Sequence, residues 1–176
     1  MIRLSTILTS YHIFRVLFCV SILVLGFVKA VQSQPPPPRP ISIYNNPSQG
    51  LIFGAFFQGT SGGTVVINHD GTRTITGTLV GANLGYPYSA AVFEVDANAG
   101  TMVSIMNGPN VTLTGSNGGT ITLQIGAAST GATFVTTAIP PSRTQVRIGG
   151  TLTVGTPASN PSGNYTGTFS VTFIQQ

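Results

Sequence analysis

The sequence predicts an all-β fold, an antiparallel two-sheet β-sandwich of about ten short strands. From Ile41 onward, apolar side chains recur at every second position, and no window of useful length carries the helical period. Gly, Asn, Pro and Ser interrupt this alternation at short intervals, as turn residues do between strands. Each strand therefore has one dry face and one wet face, and two such sheets bury their dry faces against each other.

The alternation is clearest in two C-terminal segments. Between Val146 and Val154 the apolar side chains share one face, with Gln145, Arg147, Thr151 and Thr153 on the other. Residues 165–173 repeat the pattern and place Phe169 on the dry face. The predicted strands are residues 51–58, 64–68, 72–79, 90–96, 101–106, 110–114, 120–125, 133–137, 143–154 and 165–174.

Two glycine patterns predict how these strands are joined. Asp70-Gly71 lies between alternating segments, which is a strong signal for a tight hairpin turn. Gly-Gly-Thr occurs three times, at residues 62–64, 118–120 and 149–151. The first two copies are typical of turns that lead into strands. The third falls inside a long strand, where glycine permits a bulge or a bend.

The first thirty residues differ in kind from the rest and predict a cleaved signal peptide. Arg3 and Arg15 precede a nearly unbroken apolar run over residues 16–28. This run is shorter than the roughly 20 apolar residues of a membrane-spanning helix, although an uncleaved anchor remains the alternative. The predicted organisation is a signal peptide at 1–30, a proline-rich spacer at 31–40 and a β-sandwich domain at 41–176. We expect a secreted, periplasmic or bacterial cell-surface protein with no membrane span after cleavage.

The charges that remain after residue 30 are few and scattered. They are Arg39, Arg73, Arg143 and Arg147 against Asp70, Glu94 and Asp96. A net charge near +1 without a basic cluster gives no electrostatic footprint for nucleic acid or acidic lipid. We therefore expect neither partner. An Arg73 on the dry face of its strand should lie at the rim or meet an acid, because an unpaired buried guanidinium is costly.

The residues offer no catalytic set, and the sequence predicts no enzyme. Residues 59–63 satisfy the letters of the hydrolase pattern G-x-S-x-G around Ser61, but a strand follows where that pattern requires a helix. His69, the one histidine after residue 30, falls in the predicted hairpin turn. Glu94 and Asp96 share one strand face. Paired carboxylates can act as acid and base or bind a hard cation, but the pattern favours an ordinary solvated strand face here. We expect no metal and no cofactor, since one histidine and no cysteine after residue 30 cannot build a usual zinc site.

Five segments carry a family resemblance over nearly the whole chain after residue 40. They are LIFG at 51–54, GGTV at 62–65, AVFEV at 91–95, IGGTL at 148–152 and GNYTGTFSV at 163–171. In these segments the chain resembles a family of exported bacterial β-sandwich domains known only as a domain of unknown function. It is more distantly similar to pilin-like and spore-coat-type subunits. The resemblance implies an Ig-like or pilin-like sandwich and an exported location, with no functional residue to carry over.

By elimination, the function we expect is a non-catalytic exported structural or surface-display module, such as a fimbria-like subunit or an adhesion protein. Its partners would be itself or other surface subunits, bound through β-strand edges that the chain does not defend with lysine. The extended segment 39–44 is expected to pair within its own chain rather than with a neighbour. The alternative is a glycan-binding surface module that uses Tyr86 and Tyr88, the clustered aromatic pair, as its ligand patch.

Overall fold

The computed structural model describes residues 37–176, of which Arg39–Gln176 form one compact unit. The predicted signal peptide at 1–30 and the predicted spacer up to residue 36 lie outside the described residues. No helix in the described part of the chain is long and apolar enough to cross a membrane. The strands there are β1 (Ser42–Asn45), β2 (Phe56–Phe57), β3 (Gly63–Ile67), β4 (Arg73–Ile75), β5 (Val80–Gly81), β6 (Ala91–Asp96), β7 (Met102–Asn107), β8 (Val111–Gly115), β9 (Thr120–Ala128), β10 (Thr133–Val135), β11 (Thr144–Val154), β12 (Tyr165–Thr166) and β13 (Val171–Gln175).

These strands form three antiparallel sheets. In the large sheet, six strands follow the order β1-β6-β11-β9-β8-β12, while β3 pairs with β11 and with β4. The three-stranded sheet has the order β10-β7-β13, and β2 and β5 form a two-stranded ribbon. A single turn of 3-10 helix, Pro47–Gln49, connects β1 to the segment that leads into the ribbon.

The long strand β11 organises the large sheet because it pairs with three neighbours. Its first half pairs with β6 and its second half with β3, while β9 pairs along its other edge. The register with β9 shifts between Ile148 and Gly150, where the neighbour on the opposite edge changes. A Cβ atom at Gly149 would collide with the carbonyl oxygen of Ile67, so glycine allows β3 to approach. The bulge or bend predicted at the third Gly-Gly-Thr is confirmed.

The three-stranded sheet and the ribbon supply the layer that faces the large sheet. Val103 and Ile105 of β7 lie in the same buried cluster as Val95, Val146 and Ile148 of the large sheet. Phe93 of β6 also contacts Phe173 of β13, with ring centroids 5.6 Å apart. From the ribbon side, Phe53, Phe56 and Leu79 pack into this cluster. The predicted fold class, an all-β antiparallel sandwich, is confirmed.

The predicted turns are also confirmed. Gly71 donates its backbone N–H to the carbonyl of Asn68 and closes the hairpin between β3 and β4. The first two Gly-Gly-Thr copies immediately precede or open β3 and β9. Segment 39–44 pairs within the chain, as predicted. Its strand β1 pairs with β6, and Ile43 lies opposite Val95.

Two predicted strands are shorter than the sequence suggests. Residues 51–58 pair as a strand only at Phe56–Phe57, with an isolated bridge between Ile52 and Ser89. Residues 72–79 form a regular strand only at Arg73–Ile75, although Thr76 and Thr78 still donate to the carbonyls of Thr64 and Gly62. In both cases a glycine with positive φ turns the backbone out of the extended conformation, Gly54 at 71° and Gly77 at 76°.

The prediction of one continuous strand at 165–174 is wrong. Tyr165–Thr166 pairs with β8 of the large sheet, whereas Val171–Gln175 pairs with β7 of the three-stranded sheet. Tyr165, Phe169, Val171 and Phe173 are half-buried, as the predicted dry face requires, but Gly167 on the same predicted face is exposed. Phe169 is half-buried in the connection and meets Phe93 edge-on at 6.4 Å.

Candidate functional site

Every charged side chain between Arg39 and Arg147 has a polar partner inside the domain. The pairs are Arg39 with Asp96, Arg143 with Glu94, Asp70 with Thr72, Arg147 with Gln145, and Arg73 with two backbone carbonyls. All of these charges lie on the large sheet or on segments that adjoin it. Their first role is therefore to hold strands and turns of that sheet in place.

Glu94 and Asp96 fasten β1 to the edge of the large sheet. The Arg39 guanidinium lies 3.1 Å from Asp96, and the Arg143 guanidinium lies 2.9 Å from Glu94. The hydrogen bond with Glu94 raises the pKa of Arg143 above its usual range. Arg143 also covers the ring of Tyr44 on β1, with 3.7 Å between Cζ and the ring centroid. The two carboxylates therefore face separate arginines.

The residues of the hydrolase-like pattern lie in turns. Ser61 is exposed, its backbone N–H donates to Thr78 Oγ1, and the chain enters β3 directly afterwards. His69 is exposed at the tip of the β3–β4 hairpin. Within residues 37–176, no group of three or more His, Cys, Asp or Glu side chains is placed to hold a metal ion.

Tyr86 and Tyr88 lie in a loop that projects from the ribbon. Backbone hydrogen bonds between Ala82 and Ala55 and between Ser89 and Ile52 close the ladder on either side of this loop. Both rings are exposed, 67% for Tyr86 and 46% for Tyr88. On the ribbon itself, Phe57 and Val80 lie directly opposite each other and are both more than 60% exposed.

Arg73 contacts both this loop and the segment that precedes β2. Its Nη1 donates to the carbonyls of Phe53 and Ala55, and its Cζ lies 4.4 Å from the centroid of the Tyr88 ring. A Cβ at Gly54 or Gly81 would approach the guanidinium to 2.8 Å, so the two glycines leave room for it. The sequence predicted Arg73 either at the rim of the sandwich or beside an acid. Arg73 is half-buried, and its partners are backbone carbonyls and an aromatic face rather than an acid.

The three-stranded sheet has a second exposed surface of a different kind. No Asp, Glu, Lys or Arg occurs between residues 97 and 142 or after Arg147, so its strands carry no charged side chain. Its outer face exposes Met102, Met106, Val135 and Ile174. Val135 lies opposite Met102, and Thr172 lies opposite Met106.

The three-stranded sheet has two edge strands, β10 and β13, and β13 is the one that adjoins the N-terminal segment. Gly108 donates its N–H to the carbonyl of Ser170, and Gln176 donates to the carbonyl of Met102. Because hydrogen-bonded and non-hydrogen-bonded pairs alternate in an antiparallel ladder, Thr172 and Ile174 also point their backbone groups toward β7. The backbone groups of Val171, Phe173 and Gln175 consequently point away from β7, and β13 has no second neighbouring strand among residues 37–176.

One end of β13 is tied to the N-terminal segment by a side chain. Gln175 Oε1 accepts from the backbone N–H of Ile41, and Gln175 Nε2 donates to the carbonyl of Arg39. The side-chain amide of Gln175 thus links the C-terminal end of β13 to the segment before β1. The stretch from Ser170 to Ile174 stays free of such contacts within the described residues.

Sequence reasoning located Tyr86 and Tyr88 but missed the other exposed apolar residues. Phe57, Met102 and Met106 lie on predicted strands, yet the pattern does not say which face meets the core when both carry apolar side chains. Val80 lies just beyond the end of a predicted strand. One signal was available in the sequence. The uncharged stretch from residue 97 to 142 contains most of the three-stranded sheet.

The fold and these surfaces define an all-β, sandwich-like domain. The chain belongs to the family described as Domain of unknown function (DUF4402), whose profile matches residues 42–174. This membership confirms the resemblance to a domain of unknown function, and the family description carries no activity. No match was found among curated proteins or among solved structures.

Proposed function

We propose that this domain is a non-catalytic structural module of an exported surface assembly, joined to neighbouring subunits through a strand edge. The observation that carries the proposal is the three-stranded sheet, which combines a free edge with an uncharged, partly apolar outer face. Monomeric proteins usually protect an edge strand with charges, proline or a covering segment. On this domain, β1 has such charges beside it and β13 has none.

The structural roles of the charges also support a non-catalytic module. Both carboxylates of β6 are engaged by arginines, and Ser61 and His69 stand in separate exposed turns. These residues therefore serve strand pairing and turn formation in the described domain. Export is part of the proposal because residues 1–30 have the composition of a signal peptide.

The test is to follow the chain in its host. We expect mass spectrometry to find a start near Val31 or Gln34, and we expect the protein in high-mass assemblies of the secreted or surface fraction. A chain that keeps Met1 in a membrane fraction contradicts export. A chain that is exported but stays monomeric, with no other subunit attached, contradicts the assembly role.

A second candidate function is binding of a neutral glycan at Tyr86 and Tyr88. The observation that favours it is Arg73, which is held between Gly54, Gly81 and the Tyr88 ring and so fixes the loop that exposes both tyrosines. Tyrosine combines an apolar ring face with a polar hydroxyl, which suits a ligand with both characters. The Arg73 guanidinium is engaged by two carbonyls, so a neutral ligand fits this surface better than an anionic one.

Binding to an array of neutral surface glycans tests this candidate. We expect a signal that disappears in the Tyr86→Ala, Tyr88→Ala double variant and persists in the matched control Phe57→Ala, which changes an exposed aromatic side chain of the ribbon. Equal binding by the wild type and the double variant would exclude the two tyrosines as the ligand patch.

A further inference from the structure

We propose that β13 pairs antiparallel with β13 of a second copy of this chain, about a twofold axis at Thr172. This inference rests on the proposed function, because it names the edge and the partner through which the module assembles. The combined sheet would run β10-β7-β13 and continue through the partner's β13, β7 and β10. Such a contact is isologous, since each copy presents the same edge to the other.

The backbone pattern selects the position of the axis. The outward-pointing groups of the free stretch belong to Val171 and Phe173, which flank Thr172. With Thr172 on the axis, Val171 of one copy pairs with Phe173 of the other, and each pair exchanges both backbone hydrogen bonds. A register centred on Phe173 would instead recruit Gln175, at the end where its side chain already binds Arg39 and Ile41.

The side chains of the outer face agree with this register. Thr172 faces its own copy across the axis, with Met106 beside it on β7. Ile174 lies opposite Ser170 of the second copy, so an exposed apolar side chain meets a small polar one. Contact with the second copy also removes part of the exposed surface of Met106 and Ile174 from water, which favours association.

The absence of charge argues for a second copy as the occupant. Identical edges bring identical charges together, so self-pairing is opposed wherever an edge carries Lys, Arg, Asp or Glu. The three-stranded sheet carries none of these residues. A charged partner would find no complementary group on this sheet, whereas a second copy presents the same neutral edge.

A single cysteine at the axis tests the register directly. Thr172 and its symmetry mate form a non-hydrogen-bonded pair, in which Cα atoms lie about 4.5 Å apart and within disulfide range. The variant is Thr172→Cys in a Cys19→Ala background, so that the full chain has no other cysteine. The matched control is Thr122→Cys, because Thr122 is also exposed but has paired neighbours, Thr112 and Thr153, on both sides.

Under mild oxidation we expect Thr172→Cys to form at least about tenfold more covalent dimer than Thr122→Cys. Equal cross-linking of the two variants, or none at Thr172, overturns the β13 pairing. A chain that enters high-mass assemblies while Thr172→Cys stays unlinked overturns only this pairing and leaves the assembly role standing. A chain that stays monomeric in its host and unlinked contradicts both.

Charge placed on the axis supplies an independent arm. Thr172→Lys should raise the dimer dissociation constant roughly fivefold, because two lysines would face each other across the axis. Mixing Thr172→Lys with Thr172→Glu should restore dimerisation, since unlike charges then meet. Thr122→Lys is the matched control and should leave dimerisation unchanged. Restored pairing in the mixture identifies a second copy as the partner, and failure to restore it contradicts the inference.

Discussion

The two edges flanking the N-terminal segment of this domain are built differently. On the large sheet, all four residues of β1 are exposed, and Arg39 and Arg143 bind Asp96 and Glu94 on the neighbouring strand. On the three-stranded sheet, β13 is an uncharged edge strand, and its hydrogen bonds to the N-terminal segment come from the side-chain amide of Gln175. The chain thus places four of its few charges beside one edge and none beside the other.

This difference separates two roles of an edge strand. Charged side chains beside β1 fasten it to its own domain and discourage another strand from pairing there. A neutral edge with a half-buried inner face does neither, so β13 remains available to a partner. The two edges belong to one sandwich. Variants that loosen the core they share, or that remove a charge beside β1, therefore test whether the two edges differ in this way.

The largest effect should come from the aromatic contact that joins the two layers. Phe93 lies on β6, beside β1, and its ring meets Phe169 and Phe173 on or next to β13. Phe93→Ala should lower the free energy of unfolding by about 3 kcal/mol, because it opens a cavity between the sheets. Urea denaturation followed by circular dichroism measures this change.

The matched control for this prediction is Phe57→Ala. Phe57 has 61% of its surface exposed, so its removal should cost well under about 1 kcal/mol. A loss below about 1 kcal/mol at Phe93 would show that β6 and β13 do not rest on a common core. The two edge strands would then not be supported by one core, and their difference could not be attributed to their charges alone.

The sequence predicted the elements that depend on alternation alone. Strand β11 was visible because Val146, Ile148, Leu152 and Val154 share one face of this eleven-residue strand, and all of them are buried. The hairpin at Asp70-Gly71 was visible because the local turn chemistry determines it.

What alternation cannot reveal is which sheet a strand joins. The chain crosses from the large sheet to the three-stranded sheet within residues 165–174. The same side of this segment faces the core before and after the crossing, so the alternation does not mark it. The partners of Arg73 were equally hidden, because backbone carbonyls leave no trace in the sequence. The exposed tyrosines were found by composition, whereas the free edge of β13 required the topology.

Loosening the charged edge should have a smaller effect. Asp96 Oδ1 is buried and has no hydrogen-bond partner within residues 37–176, so Arg39 supplies the main compensation for this carboxylate. Arg39→Ala should therefore destabilise the domain by about 1–2 kcal/mol. Hydrogen exchange should locate the loss in β1 and the end of β6, with β13 unchanged.

Arg147→Ala is the control for the charged edge. Arg147 is exposed, and its guanidinium donates only to the side chain of Gln145, so its removal should change stability by less than about 0.5 kcal/mol. Equal losses at the two arginines, or faster exchange in β13, would show that the Arg39–Asp96 pair does not serve β1 in particular.

The smallest expected effect concerns Asp70, a charge of the large sheet that holds a turn rather than an edge. The side-chain hydroxyl and the backbone N–H of Thr72 donate to Asp70 Oδ1 at 2.6 and 2.8 Å and lower the pKa of this carboxyl below its ordinary value of 3.8. Because the folded-state pKa is the lower one, Asp70 contributes stability above pH 3.8, and this contribution is lost as the pH falls through the folded-state pKa.

An NMR titration of the Asp70 carboxyl carbon should show a midpoint below 3.8, and Thr72→Ala should move this midpoint upward. Asp70→Asn should remove this part of the acid dependence of unfolding while leaving β1 and β13 untouched. A midpoint at or above 3.8 in the folded domain would mean that Asp70 is a free surface charge, and the claim that every charge of the large sheet has a structural partner would fail at this residue.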